Sequence, residues 1–354
     1  MLQGAGKSVL VALSGGVDSS TCVHLLKSQG YHVEAVVMEF SAEHAQAVND
    51  AKIVADSLGI KLHVVRCHEE FKKNVVDYFA MDYLSGRTPN PCIVCNPTTK
   101  FEQLNKRRVE LGFDFMATGH YADVVWLDTE DGKSAFLKKA ELTGKDQSYM
   151  LYRLSQEVLA HMIFPLNTFE KTKVREIAQQ AGIPTANKPD SQEVCFIPDN
   201  DYANFITCNY GKSKKGRFIS PDGADVGANE GILNYTIGQR KGLGIALGYP
   251  VFVKKIDAQS GNVYLGRKGE EYSQGVTLTG CVMTNHPIVK KGEFEAGVKI
   301  RSMAKEAPVK VKKLDKDEWQ IIFNEPQRAA APGQSCVIYS DDIVVGGGFI
   351  KEAF

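Results

Sequence analysis

A doubly wound parallel α/β domain, followed by a small α+β module and an all-β tail, is the architecture that this chain of 354 residues predicts. Three observations carry it. Strands alternate with helices up to about residue 140, which is the pattern of a parallel sheet with crossover helices. After about residue 205 glycine becomes frequent and short β runs appear, and from Thr277 onward β runs alternate with turn signals at the spacing of a small barrel or sandwich.

In chain order, SVLVAL (8–13) is a β-rich run ending in Gly-Gly, and DSSTCVHLLKSQG carries apolar residues at helical spacing up to Gly30. HVEAVVMEF is the next strand, AEHAQAVNDAKIVADSLG a helix closed by Gly59, and KLHVVRC a third strand. KFEQLNKRRVELGF reads as helix and FMATGHYADVVWL as strand; EVLAHMIFPLNTFEKTKVREIAQQAGI adds helices, with Thr172 as a candidate cap. GRFIS, VFVKKID and NVYLG supply the strands of the small module. GVTLTGCVM, FEAGVKIRSM, VKVKKL, WQIIF and SCVIYSDDIVVGGGFI supply those of the tail.

Lys+Arg and Asp+Glu both number 42, so no global positive field announces nucleic acid, and any anionic partner must meet local patches. Such patches exist at NKRR (105–108), GKSKKGR (211–217), GQRK (238–241) and KVKK (310–313). No charged leader with an apolar core opens the sequence, and no run approaches the ~18 apolar residues of a membrane span. A cytoplasmic protein without a membrane partner is expected. Eight cysteines are too dilute for a disulfide scaffold. Cys22, Cys67, Cys208, Cys281 and Cys336 sit among apolar neighbours and are expected as buried small side chains. Cys92 and Cys95 in TPNPCIVCN, a turn stiffened by two prolines, have the spacing of a metal clip or a redox pair, and Cys195 in DSQEVCFI is available to the same site.

Between the first strand and first helix lies Ser14-Gly15-Gly16-Val17-Asp18-Ser19-Ser20. Glycines allow the backbone to approach phosphate, and Ser19 and Ser20 add hydroxyl donors beside the open amides of the helix start. An anion site is therefore expected here. GAGKS (4–8) lacks the first glycine and the preceding strand of a Walker loop and is expected as a disordered start, and GLGIALG (242–248) has the wrong glycine spacing for a dinucleotide fingerprint and reads as loop.

SGGVDSS after a first strand resembles the loop of PP-loop ATP pyrophosphatases, which cleave ATP between the α and β phosphates. Along the whole chain SGGVDSS, GRTPNPC–CN, ATGHYA, GKDQSYMLY, DSQEVCFI, YTIGQRKGLGI and APGQS…GGGFI occur in the order seen in bacterial tRNA-specific 2-thiouridylases. This resemblance implies a PP-loop catalytic domain (1–205), a small central tRNA-contacting domain (206–272) and a C-terminal β-barrel (273–354). It implies a tRNA-uridine 2-sulfurtransferase that adenylates the C2 oxygen of the wobble uridine, using ATP and Mg2+, with a persulfide or sulfide donor protein as partner.

Carried over residue by residue, the resemblance makes Cys95 the nucleophile and Cys195 the persulfide carrier, able to close a disulfide. It gives Ala12, Leu13, Ser14, Gly15, Gly16, Val17, Asp18, Ser19, Met38 and Gly119 to the adenine nucleotide. Asn90, Pro91 and Cys92 would border the target base, and His120, Lys145, Asp146, Gln147, Arg301, Ser302 and Gln334 would meet the anticodon stem-loop. Two positions depart from the common pattern: many members have Asp at the position of Cys92 and a basic residue where this chain has Pro97. Cys92, Cys95 and Cys195 could instead ligate a [4Fe–4S] cluster with one iron open to exogenous sulfide. Structural zinc fits poorly, because neither motif holds a histidine. A PP-loop ligase forming C–N bonds, and a nucleotide-gated RNA-binding protein with a metal clip, are the alternatives outside sulfur transfer.

Overall fold

The computed structural model describes residues 4–189, 194–197 and 199–354. The chain divides into two compact units, one of Met1–Val75, Cys92–Phe196 and Asp342–Val344, the other of Val76–Pro91, Ile197–Asp341 and Val345–Phe354. Residues 76–91, which the sequence assigns to the first domain, thus pack with the second unit.

The first unit is built on a parallel sheet of β1 (Ser8–Ala12), β2 (His32–Glu39), β3 (Leu62–Arg66), β4 (Phe115–Ala117) and β7 (Met162–Ile163), in the order β3-β2-β1-β4-β7. Val9, Leu10 and Val11 are fully buried. A central parallel strand is covered on both faces, so its sequence shows an unbroken apolar run rather than alternation. The helices α1 (Val17–Ser28), α2 (Ala45–Leu58) and α9 (Lys171–Gln180) contribute Val23, Leu26, Ala51, Val54, Val174 and Ala178 to the same core as Val9, Val11, Ala35 and Val37. Gly59 ends α2 in the left-handed conformation (φ 59°), as expected of that position.

Four local readings are corrected by the fold. FMATGHYADVVWL is not one strand: β4 stops at Ala117, and β5 (Asp123–Thr129) turns away to pair antiparallel with β6 (Gly132–Lys138). TPNPCIVCN is helical from Pro91, because proline is accommodated at a first helical position where no amide donor is needed. This α5 (Pro91–Cys95) runs through a π-helical turn (Asn96–Lys100) into α6 (Phe101–Leu111). Thr172 is no cap, since α9 starts after Glu170 without a side-chain cap; Ser155 caps α8 (Gln156–Ala160), accepting from the Val158 amide. Lastly, the stretch read as a disordered start forms a turn, with the Gly4 amide donating to Gln29 O (3.0 Å) and Lys7 N to Gly4 O (3.0 Å). Two short helices that the periodicity did not announce, α3 (His68–Phe71) and α4 (Asp77–Leu84), flank another π-helical turn.

In the second unit α4 meets α10 (Tyr202–Tyr210) through a Tyr83–Tyr202 ring stack at 4.6 Å and a Tyr210 hydroxyl donating to Asp77. A four-stranded sheet of β8 (Arg217–Ile219), β9 (Asp225–Ala228), β10 (Val251–Ile256) and β11 (Val263–Arg267), ordered β10-β11-β8-β9, encloses Phe218, Tyr235, Leu243, Val253 and Leu265. GLGIALG is loop there, as read from the sequence. Then follow β12 (Tyr272–Met283), β13 (Glu293–Lys299), β14 (Ala307–Lys313), β15 (Trp319–Arg328), β16 (Ser335–Ser340) and β17 (Ile343–Ala353). They pair antiparallel in the order β12-β15-β14-β13-β16-β17, and β12 also pairs with β17, which closes the barrel and leaves no free edge. Among the described residues no helix is long and apolar enough to cross a membrane.

Asp201 caps α10 by accepting from the Asn204 amide at 2.9 Å. Asp201→Ala is expected to cost about 1 kcal/mol, read as a lower thermal midpoint of the full chain, with Asp201→Ser largely restoring it.

Candidate active site

Strand β1 pairs with β2 on one side and β4 on the other. The winding direction therefore reverses between β1 and β4, and a crevice opens beyond their carboxyl ends. Ala12 and Leu13 bring the chain to that crevice, and Ser14–Gly16 turn it into α1. Gly15 (φ 71°) lies so close to α2 that a Cβ would stand 2.6 Å from Asp50 Cβ and 3.0 Å from Ala47 O. From the β4 side Gly119 approaches the start of α1, where a Cβ would meet Ser19 N at 2.7 Å and Asp18 C at 3.0 Å. Met38, near the carboxyl end of β2, is buried at the same edge of the sheet.

The loop is shaped by its own hydroxyls. Ser19 Oγ accepts from Ser14 N (3.1 Å) and donates to Gly16 O (3.1 Å), while the buried Ser20 Oγ donates to Gly16 O (2.8 Å). Ser20 thus serves the turn rather than standing as a phosphate donor. Helix α1 has no side-chain cap, so its first amides and dipole remain as the anion-attracting feature. Asp18 is held by Lys171 Nζ (2.7 and 2.6 Å) and the Tyr121 hydroxyl (2.9 Å). Neither partner was singled out in the sequence: Lys171 lies 153 positions away, and nothing local marks it.

The cysteines follow from the helix that runs through the π turn. Cys92 is exposed near the start of α5, and Cys95 is buried at its end. Burial pushes the Cys95 thiol up to about 11, partly opposed by the Lys100 ammonium. Cys195 is exposed as a residue, yet protein crowds its thiol; that desolvation, reinforced by Cys95 and Cys92, pushes it up to about 12, with Lys100 again opposing. The three sulfurs therefore lie within electrostatic reach of one another, and Lys100 acts on Cys95 and Cys195. Cys67, just past β3, joins them: it is buried, raised to about 12 by desolvation, Glu70 and Cys95. The sequence offered for Cys67 only its apolar neighbours, which conceal its position at the sheet's carboxyl edge. Cys22 and Cys336 are buried as expected, whereas Cys208 is exposed and Cys281 half-buried.

None of the eight cysteines is in a disulfide. Among the described residues no three His, Cys, Asp or Glu side chains are grouped to hold a metal ion. Cys95 is buried, with its thiol raised, while Cys92 is exposed. Residues 190–193, which open DSQEVCFI, lie outside the described residues.

His120 Nδ1 bonds Thr118 Oγ1 (2.8 Å), and its ring lies 5.6 Å from that of Phe101. Burial, with Lys100 second, holds it well below the usual histidine range, so the imidazole is neutral.

The profile of the tRNA methyl transferase HUP domain matches residues 7–199, that of the tRNA methyl transferase PRC-barrel domain residues 203–267, and that of the aminomethyltransferase β-barrel domain residues 277–350. A tRNA-specific 2-thiouridylase of Carboxydothermus hydrogenoformans is 43% identical over 98% of each chain. One from Caldanaerobacter subterraneus is 45% identical over 97% of this chain and 98% of its own, and one from Acetivibrio thermocellus 44% over 98% and 99%. The chain belongs to the tRNA-specific 2-thiouridylase family.

The remaining positions given to RNA by the thiouridylase resemblance have varied surroundings. Lys145 ends an exposed turn. Asp146 accepts from Ala140 N and Ser148 N (3.2 Å each), and Gln147 Oε1 accepts from Tyr121 N (2.9 Å), so both shape the chain beside GHYA. In the second unit Asn90 is half-buried and Pro91 buried. Arg301 is exposed and donates to Ala329 O, Ser302 is half-buried, and Gln334 Nε2 donates to Thr88 O (2.9 Å).

Because its folded value lies about 2 units above that of an ordinary thiol, Cys95 should carry roughly 100-fold less thiolate at neutral pH than a free cysteine. Alkylation by iodoacetamide, followed by peptide mass analysis from pH 7 to 11, should show its rate climbing toward pH 11. Lys100→Met should move that rise further up, whereas Lys100→Arg should leave it in place.

Proposed function

We propose that the chain is a tRNA-uridine 2-sulfurtransferase working in the cytoplasm on the anticodon stem-loop of tRNAs with a wobble uridine. The observation that carries this reading is the pairing, in one unit, of a glycine loop at the β1–β4 crevice with cysteines at 95 and 195 that feel each other electrostatically. A ligase forming C–N bonds would have no use for those thiols.

In this reading ATP lies along Ala12–Ser19, with Met38 and Gly119 beside the adenine nucleotide and the amides of α1 on the phosphates. Asp18, the acid of the loop, is paired with Lys171, and Mg2+ held by the phosphates of ATP would supply charge neutralisation there. The uracil C2 oxygen attacks the α-phosphorus and pyrophosphate leaves, which converts a poor leaving group into AMP. The terminal sulfur of a persulfide on Cys195 then attacks C2, and the C2–O bond breaks with loss of AMP. Cys95 thiolate attacks the Cys195 sulfur, so that the S–S bond to the base breaks, 2-thiouridine is released and a Cys95–Cys195 disulfide remains. A persulfide-carrying donor protein must supply the sulfur, and a dithiol reductant must reopen the disulfide.

The raised thiols suit this order. A protonated Cys95 cannot strip the sulfur early, and Lys100, whose charge favours the thiolate, is the group placed to release it. Neutral His120 can meet the base without adding charge. Asn90, Pro91 and Cys92 border the uracil, while Lys145, Asp146, Gln147, Arg301, Ser302 and Gln334 meet or shape the RNA contact. The working division is catalysis in residues 1–205, with RNA contacts added by 206–272 and the barrel of 273–354.

Mass analysis of wobble nucleosides after incubation with ATP, tRNA and a persulfide donor should show 2-thiouridine; none, with an active donor, would overturn the reading. Cys195→Ser should abolish it while tRNA-dependent pyrophosphate release persists, and Cys95→Ser should lower turnover at least 100-fold. Gly119→Ala, by pushing a methyl group against the Ser19 amide, should weaken ATP binding about 10-fold or more in a direct titration, with both thiols untouched.

A further inference from the structure

The GLGIALG loop that the sequence reading set aside, with the basic GQRK patch before it, lines an open groove of about 400 Å3 in the second unit, with Arg240, Gly242, Gly244, Ile245 and Tyr249 on its walls. Gly242, Gly244 and Gly248 all have positive φ (75°, 68° and 75°), while Leu243 between the first two does not. Such alternation turns successive amides toward one side and makes an anion-binding concavity. Among the described residues the amides of Gly242, Leu243, Gly244 and Ile245 donate to no protein acceptor. The loop is nonetheless fixed: Leu243 is buried in the core of the module, and Gln239 ties it down through Thr236 N (2.9 Å) and Lys241 O (3.0 Å).

The charges point the same way. Several surface cations of this module are matched by acids: Lys215 by Glu230, Arg217 by Asp225, Lys254 by Glu270 and Arg267 by Asp222. Arg240 and Lys241 are exposed, and among the described residues neither has a carboxylate partner. Tyr249 presents an exposed ring at the rim, steadied by the Arg267 guanidinium 5.4 Å from its centroid. An aromatic face beside two unmatched cations and a row of open amides suits a nucleotide backbone, the ring taking a sugar or base and the rest a phosphate.

We propose that this groove binds a phosphodiester of the substrate tRNA, with Arg240 and Lys241 as its cations and the amides of 242–245 as its hydrogen-bond donors. The proposal rests on tRNA being the substrate. It places the groove in positioning, not in chemistry, so its loss weakens RNA binding uniformly across sequences.

The test uses the full chain, unmodified and as the double variant Arg240→Ala/Lys241→Ala, with tRNA affinity measured by fluorescence anisotropy from 50 to 300 mM salt. The variant should bind tRNA about 10-fold or more weakly, and its log–log salt slope should fall by about 1, since one neutralised phosphate contributes about 0.9. ATP affinity and thiolation at saturating tRNA should hold, and Arg240→Lys/Lys241→Arg should restore the slope. Unchanged affinity and slope in the double variant would overturn the proposal. So would saturable binding of inorganic phosphate at the amides of Gly242 and Gly244 with tRNA affinity unaffected, which would make the groove a site for a small phosphate. Failure of the unmodified chain to bind any tRNA would instead overturn the sulfurtransferase reading itself.

Discussion

Two stretches of backbone, Ser14–Ser19 and Thr118–His120, meet so closely that Gly119 at the contact tolerates no side chain. The rest of the candidate site depends on that approach. It follows from the sheet: β1 is the innermost strand, flanked by β2 and β4, and the reversal of winding beside it leaves the carboxyl ends of β1 and β4 uncovered. A Cβ at Gly119 would push α1 away from β4 and so misdirect the helix amides. Lys171 and Tyr121 fasten the same corner by gripping Asp18 from α9 and from the chain after β4.

The sulfur chemistry is arranged around a different constraint, the scarcity of water near the thiols. Desolvation is the leading cause of the raised values at Cys67, Cys95 and Cys195 alike. Lys100 opposes it at Cys95 and Cys195 while helping to keep His120 neutral. One ammonium therefore acts on groups from three parts of the chain. The π turn that ends at Lys100 sets this reach, because it separates Cys95 from Lys100 by one wider turn of helix.

Elements governed by local pattern were legible in the sequence. The apolar run of β1, the helix ended by Gly59 and the glycine loop each carry their signal within a few residues. Reading failed where distant chain decides the outcome. TPNPCIVCN looked like a stiff turn because proline was weighed as a breaker, whereas Pro91 occupies a helix start. FMATGHYADVVWL has unbroken strand composition, yet the chain must leave the sheet at Gly119 to pass the crevice. Cys67 is the buried small side chain that its apolar neighbours announce, but its nearness to Cys95 leaves no mark in one dimension. The division at residues 205 and 272 rested on composition, which carries no sign that the helix Asp77–Leu84 packs with the second unit.

That helix has a practical meaning for dissecting the molecule. Asp77–Leu84 buries Phe79, Ala80 and Asp82, and its contacts run to Tyr202, Tyr210 and, through the adjoining residues 85–91, to Ile256 and Gln334. A fragment ending near residue 205 would keep this segment but discard most of what covers it, leaving a bare apolar stripe. Truncation would thus yield an aggregating polypeptide rather than a minimal nucleotide-binding module. The two bodies are interlaced along the chain, and they have to be made together.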